Sequence, residues 1–100
     1  MHTNSIIELN NTAYQKNLSF LRTTFGKKVQ ISCVVKGNAY GHGVTEIVSM
    51  AYNNGITHFS VFDVEEAKIV KAELGDNATI LVMGLVQDED MEWVINNDIE

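Results

Sequence analysis

One lysine lies at a position where parallel α/β proteins often carry their chemistry. Lys36 follows the apolar run 31–35 and opens the segment 36–43, Lys-Gly-Asn-Ala-Tyr-Gly-His-Gly. A lysine amine attacks an aldehyde only when it is neutral, and partial desolvation favours the neutral form. Tyr40 carries a phenol that can donate to a phosphate, and the glycines of 41–43 lead into a helix N terminus, which favours an anion. The segment therefore predicts a site for a phosphorylated aldehyde.

The rest of the chain predicts elements that can hold such a lysine. Apolar residues at helical spacing, ended by Gly26 and capped by Asn10 or Asn11, predict a first helix. Three strands are predicted at 29–35, 58–62 and 79–83, each followed by an amphipathic stretch. Asp63 and Glu66 have the spacing of a capping box at the start of the third helix. The helical stripes comprise Tyr14, Leu18, Leu21 and Phe25; Val44, Ile47, Val48 and Ala51; Val64, Ala67, Val70 and Leu74; and Met91, Val94 and Ile95.

Alternating strands and helices predict an α/β fold with a parallel sheet and right-handed crossovers. This pattern fits both an open doubly wound sheet and part of a (β/α)8 barrel. A whole barrel takes about 250 residues, so about three βα units account for less than half of one. Strand alternation places Ser32, Val34 and Lys36 on one face, and Cys33 and Val35 on the other. In a barrel, Lys36 would point into the mouth at the carboxyl ends of the strands.

Composition excludes several classes of function. The 100 residues are 45% apolar and 20% charged, which is typical of a globular domain. The net charge of −6 disfavours nucleic acid. No apolar stretch is long enough for a membrane helix and no secretion signal is recognisable, so we expect no membrane partner and a cytoplasmic location. The single Cys33 fits a reducing compartment, and the His and Cys spacing predicts no metal site.

Plainer interpretations accompany the chemical ones. Lys36 can be a solvated strand-end lysine, and Tyr40 can be a turn aromatic that only packs. His42 is better interpreted as a loop residue than as a proton carrier, and Cys33 as a core residue. Gly41 and Gly43 resemble the start of a dinucleotide-binding fingerprint. Glu46 occupies its third glycine position, however, and would repel a pyrophosphate.

Segment 36–43 resembles the pyridoxal-phosphate lysine motif of alanine racemases, usually Val-Lys-Ala-Asn-Ala-Tyr-Gly-His-Gly. Gly37 replaces alanine. The residues 7–9, the run from Phe59 to Ala67 and the strand 80–84 are similar to family segments in the same order. The resemblance implies the N-terminal part of a TIM barrel over residues 1–100. It also implies Lys36 as the Schiff-base lysine and a catalytic base, Tyr40 as a phosphate contact and Met83 as a residue near the cofactor ring.

The resemblance further implies an enzyme that interconverts L-alanine and D-alanine, supplies D-alanine for peptidoglycan, and acts as a homodimer. The family's second base, a tyrosine, and its pyridine-facing arginine have no counterpart in residues 1–100, so we expect these residues alone to be inactive. Two alternatives stay open. One is a racemase of another amino acid such as serine, and the other is a non-catalytic pyridoxal-phosphate-binding module.

Overall fold

Three parallel strands form the sheet of the computed structural model, which describes residues 10–26, 28–35 and 43–100. The strands lie in the order β1-β2-β3, with β2 in the centre. Ser32 pairs with His58 on one side of the sheet, and His58 pairs with Thr79 on the other. The strands are β1 (Ser32–Val34), β2 (His58–Val61) and β3 (Thr79–Val82); the helices are α1 (Asn11–Phe25), α2 (Val44–Asn53), α3 (Val64–Leu74) and α4 (Met91–Asn96); short 3₁₀ turns cover Gly75–Asn77 and Asp88–Asp90. This alternation confirms the predicted α/β class.

Each strand is shorter than its apolar pattern predicts. The pattern extends the first strand back to Val29, yet β1 begins at Ser32. Ser32 pairs with His58, which is the first residue of β2, so residues 29–31 have no paired residue in that strand. Strand length is therefore limited by the neighbouring strand, because a ladder needs residues on both sides.

The two faces of the sheet differ in burial. The core lies between the sheet and the helices, and Val35, Phe59 and Val61 are fully buried there. Ser32 and Val34 are exposed on the opposite face. This result confirms the predicted alternation along the first strand. The buried core residues are Leu18, Val35, Val44, Val48, Ala51, Ile56, Phe59, Val61, Ala67, Val70, Leu74, Ile80 and Val82.

Side chains cap α1 and α3 at the residues that the sequence predicts. The Asn10 side chain accepts from the Ala13 amide at 2.9 Å at the start of α1. Asp63 Oδ1 accepts from the Glu66 amide at 2.9 Å at the start of α3. Glu66 reaches back to the Phe62 amide at 2.8 Å, one residue before the position of a standard capping box. Each cap satisfies an amide that has no partner within the helix.

The last helix packs through a different side from the predicted one. Of the predicted side, Met91 and Ile95 are exposed and Val94 is half-buried, whereas Trp93 packs against the core. The Lys68 ammonium lies 5.6 Å from the Trp93 ring centroid, which orients the indole toward α3. A helix of six residues makes fewer than two turns, so its apolar spacing is a weak guide to its buried side.

Membrane-spanning helices and clusters of metal-binding side chains both bear on function. Across residues 10–26, 28–35 and 43–100, no helix combines the length and the apolar character that crossing a bilayer requires. In the same ranges, no three His, Cys, Asp or Glu side chains come together as metal ligands.

Candidate functional site

The carboxyl ends of the three strands meet at one edge of the sheet, and this edge positions the candidate site. The Val35 amide donates to the Ser60 carbonyl oxygen at 3.0 Å, and the Met83 amide donates to the Val61 carbonyl oxygen at 2.8 Å. These bonds extend the parallel ladder one residue beyond β1 and β3. Lys36 and Tyr40 lie outside the described residues, whereas Met83 lies at this edge.

Apolar side chains are exposed at the same edge. Phe62 is 57% exposed and Met83 is 46% exposed, immediately after β2 and β3. The Gly84 amide donates to the Phe62 carbonyl oxygen at 2.9 Å. A Cβ atom on Gly84 would lie 2.5 Å from that oxygen, so the two segments approach as closely as glycine allows. Exposed apolar area at strand ends can cover one side of a planar ligand.

The N terminus of α2 is less suited to an external anion than the sequence indicates. Gly43 is the N-cap residue, with φ of +88°, a conformation that favours glycine. A Cβ atom at this position would collide with the Glu46 carboxylate, which therefore lies against the Gly43 backbone. A carboxylate in the first turn already interacts favourably with the helix dipole. A phosphate at this helix end would meet repulsion from the Glu46 carboxylate.

A chain of hydrogen bonds crosses the sheet on the face away from the helices. His58 Nδ1 lies 2.7 Å from Ser32 Oγ, which lies 2.7 Å from Ser60 Oγ. His58 Nε2 lies 2.8 Å from Glu100 Oε1, and the histidine is only 9% exposed. We call Ser32, His58, Ser60 and Glu100 the inner polar chain. The sequence interpretation missed it, although polar residues at alternate positions of β1 and β2 are a detectable signal.

Glu100 reaches this chain through a backbone position beside β3. Its amide donates to the Ile80 carbonyl oxygen and its own carbonyl oxygen accepts from the Val82 amide, both at 2.9 Å. This is the bond pattern of a further parallel strand next to β3. The Glu100 carboxylate then extends across β3 to His58 on the centre strand.

Cys33 lies on the helix-facing side and contacts α1. The Tyr14 hydroxyl donates to Cys33 Sγ at 3.9 Å. Burial raises the pKa of the Cys33 thiol, and the Tyr14 hydrogen bond lowers it by a smaller amount. Burial also raises the pKa of the Tyr14 phenol, assisted by its interactions with Cys33. A protonated, half-buried thiol is a poor nucleophile, which agrees with a packing role.

A cleft of about 490 Å³ lies at the opposite edge of the sheet. Arg22 lines it and donates to the Asn54 carbonyl oxygen at 3.0 Å. That bond places a cation near the C terminus of α2, which is a stabilising arrangement. Val29 and Ile31 line the cleft beside β1, on the end of the sheet away from Met83. The cleft is thus separate from the candidate site.

The family model for the alanine racemase N-terminal domain matches residues 9–100. The chain belongs to the alanine racemase N-terminal domain family. An alanine racemase from Bacillus subtilis is 42% identical over 78 residues, which are 78% of this chain and 20% of that protein. The chain spans 20% to 27% of the length of the curated relatives it matches.

Solved structures of the family show the same fold. Alanine racemase from Bartonella henselae, solved with covalently bound pyridoxal phosphate, superposes with a TM-score of 0.80 and 31% identity. The superposition covers 91% of this chain and 26% of that one. A histidine racemase from Leuconostoc mesenteroides superposes with a TM-score of 0.84 and 26% identity, covering 98% and 26%. The three strands therefore correspond to the N-terminal part of the racemase TIM barrel.

Proposed function

We propose that residues 1–100 are the lysine-bearing segment of a pyridoxal-phosphate-dependent racemase that interconverts L-alanine and D-alanine. The main support is the position of Val35, whose amide is bonded to Ser60 at the carboxyl edge of the sheet. Lys36 is the next residue. If the pairing of Val34 with Ser60 and of Val61 with Val82 continues by regular steps, we expect Lys36 to be level with Phe62 and Met83.

The residues at this edge fit the proposed cofactor. From strand alternation we expect Lys36 to face away from the core, as Val34 does. The exposed side chains of Phe62 and Met83 supply apolar area beside it. Apolar surroundings favour the neutral amine that reacts with an aldehyde. When bound, pyridoxal phosphate supplies an electron sink for a carbanion at the substrate Cα.

Separate roles follow for the proposed site residues. Lys36 holds the cofactor and moves a proton on one side of the substrate Cα, while Met83 limits water access to the ring. Tyr40 donates to the phosphate. The phosphate does not bind at the start of α2, because the Glu46 carboxylate there repels an anion. The second base must come from outside residues 1–100, so we expect these residues alone to be inactive. The proposal also comprises a cytoplasmic homodimer that supplies D-alanine for peptidoglycan.

Borohydride trapping tests the proposed lysine directly. The protein containing this chain at its full length is incubated with pyridoxal phosphate, reduced and digested, and the peptides are mapped by mass spectrometry. We expect the adduct on Lys36, and its loss in Lys36→Ala. Lys28→Ala is the matched control, because Lys28 is exposed and lies before β1. An adduct that persists in Lys36→Ala would refute the assignment.

A substrate panel separates the competing functions. L-alanine, L-serine and L-histidine are each supplied to the cofactor-loaded protein, and the enantiomers are separated by chiral chromatography. Histidine is included because a structural relative is a histidine racemase. Preferential production of D-alanine supports the proposal. A Lys36 adduct without racemisation of any of the three would favour a pyridoxal-phosphate-binding module.

A further inference from the structure

The apolar pattern of β1 does not by itself determine the register of this strand. Ile31, Cys33 and Val35 alternate on the helix-facing side. A slip of one residue would expose all of them, so the hydrophobic effect excludes it. A slip of two residues keeps them on the helix side, but it moves Val35 along the sheet by about 6–7 Å. Something other than apolar burial must select the observed register.

The inner polar chain distinguishes these registers. In the observed register, Ser32 lies opposite His58 and its hydroxyl bonds both His58 Nδ1 and Ser60 Oγ. A two-residue slip in one direction puts Val34 opposite His58. The buried imidazole nitrogen would then have an apolar neighbour in place of the hydroxyl, which is unfavourable.

A slip in the other direction is opposed by the backbone. It would put Gln30 opposite His58 and direct the Val35 amide toward the Phe62 carbonyl oxygen. That oxygen already accepts from the Gly84 amide at 2.9 Å, so the Val35 amide would have to share it as a second donor. The direct bond between Ser32 and His58 would also be lost. The observed register is therefore the one that satisfies both the side chains and the ladder.

Glu100 holds His58 in a compatible orientation. With the proton on Nε2, the imidazole donates to the Glu100 carboxylate at 2.8 Å. Nδ1 then accepts from the Ser32 hydroxyl, and Ser32 Oγ accepts from Ser60. In this arrangement both ring nitrogens of His58 and the hydroxyl groups of Ser32 and Ser60 are hydrogen-bonded. Such a network specifies one geometry among several with similar apolar burial.

We propose that His58 is a positioning residue that sets the register of β1 through Ser32 and Ser60. It thereby fixes the level of Val35, the residue before Lys36, at the carboxyl end of the sheet. The role of Lys36 rests on the proposed function, whereas the register does not. Ser60 connects the two, because its side chain bonds Ser32 and its carbonyl oxygen accepts from the Val35 amide.

Two substitutions of His58 test the hydrogen bonds of its two ring nitrogens separately. His58→Asn retains a polar group near Nδ1 and loses the reach to Glu100. His58→Gln retains the reach to Glu100 and loses the bond to Ser32. Both are made in the full-length protein, together with Ser32→Ala, which breaks the link and leaves His58 in place. Thr79→Val is the matched control, because Thr79 lies in the same row of the sheet and outside the inner polar chain.

Two measurements follow, namely amide hydrogen exchange at Val35 and the pyridoxal phosphate concentration that gives half-maximal trapping on Lys36. In His58→Gln and Ser32→Ala, the end of β1 can open without breaking a hydrogen bond between residues 32 and 58. We therefore expect amide exchange at Val35 to be about tenfold faster in both variants. Half-maximal trapping should need about tenfold more cofactor in both variants. His58→Asn and Thr79→Val should stay within about threefold of the unmodified protein for both measurements.

The outcomes are distinguishable. Unchanged exchange at Val35 in Ser32→Ala would overturn the register proposal, and this variant decides the question if His58→Gln fails to fold. Faster exchange with unchanged trapping would show that the register does not control Lys36 and would also overturn the positioning role. An absence of trapping in the unmodified protein would refute the proposed function, while the exchange comparison would still decide what sets the register.

Discussion

The backbone amide of Val35 donates to the carbonyl oxygen of Ser60 at 3.0 Å, which fixes the residue before Lys36 to the centre strand. Ser60 is itself buried, and its hydroxyl lies 2.7 Å from that of Ser32. The end of β1 is thus connected to β2 through both the backbone and a side chain. An anchored strand end of this kind suits the role that we propose for the next residue, Lys36, because a group that reacts with a cofactor must be held in position.

Replacing Gly84 should disturb the edge that we assign to the cofactor. In Gly84→Ala the new Cβ atom would lie 2.5 Å from the Phe62 carbonyl oxygen, so the backbone must move, at a cost of about 1–3 kcal/mol. We expect faster amide exchange at Met83 and weaker trapping of pyridoxal phosphate on Lys36.

Gly26→Ala is the control for Gly84→Ala, because, its chain neighbours aside, no heavy atom of the described residues lies within 4 Å of a Cβ at Gly26. It should lower stability through its positive φ alone, without a change in trapping. Equal trapping in the two variants would contradict a role for the Gly84 segment.

Removing the cap of α3 should reduce stability by a moderate amount. Asp63 accepts from the Glu66 amide, so Asp63→Ala leaves that amide without its side-chain acceptor and should cost about 1 kcal/mol. Asp63→Asn retains an acceptor oxygen and should cost much less. Denaturant unfolding of both variants tests this, and an equal loss would indicate that the carboxylate charge matters more than the hydrogen bond.

The Tyr14 hydroxyl should tune the reactivity of Cys33. Its hydrogen bond lowers the pKa of the thiol against the larger effect of burial, which raises it. Tyr14→Phe removes the lowering contribution, so the pH at which Cys33 becomes half-alkylated should rise. Mass spectrometry of the Cys33 peptide after timed alkylation measures this shift. An unchanged or lower midpoint would show that the hydrogen bond does not stabilise the thiolate.

The ion pair between Lys71 and Asp76 should give a small acid-dependent contribution to stability. Lys71 Nζ lies 2.9 Å from Asp76 Oδ1 and lowers the pKa of that carboxyl group through the hydrogen bond and its charge. The folded-state pKa is below the unfolded one. The contribution is therefore present above the unfolded pKa and is lost as pH falls through the folded pKa.

Lys71→Met tests this pair, because it keeps the aliphatic stem and removes the charge. We expect the pKa of Asp76 to rise toward its ordinary value, measured by a nuclear magnetic resonance titration of the carboxyl group. Lys68→Met is the comparison, since the Lys68 ammonium lies 3.6 Å from the Glu65 carboxylate and 4.0 Å from that of Asp90, so it pairs with other carboxylates than Asp76. An equal rise in both variants would assign the effect to net charge.

Local pattern determined much of the fold. Helix ends followed from Asn10, Gly26 and Asp63, whose side chains or backbone freedom act within a few residues. The alternation of Ser32 and Cys33 correctly separated the two faces of β1. Periodicity and capping involve neighbours in the sequence, so they can be identified without knowledge of the tertiary structure. The family resemblance likewise depended on a contiguous segment, 36–43.

Tertiary structure decided the features that join distant residues. β1 is short because its partner begins at His58, and α4 packs through Trp93, which contacts both the core and the Lys68 ammonium of α3. The inner polar chain links Ser32 to Glu100 across the sheet. Sequence periodicity specifies which face a residue occupies, but pairing between strands selects its neighbours on that face. The sequence alone thus determined the types and order of the elements, and long-range hydrogen bonding determined their register.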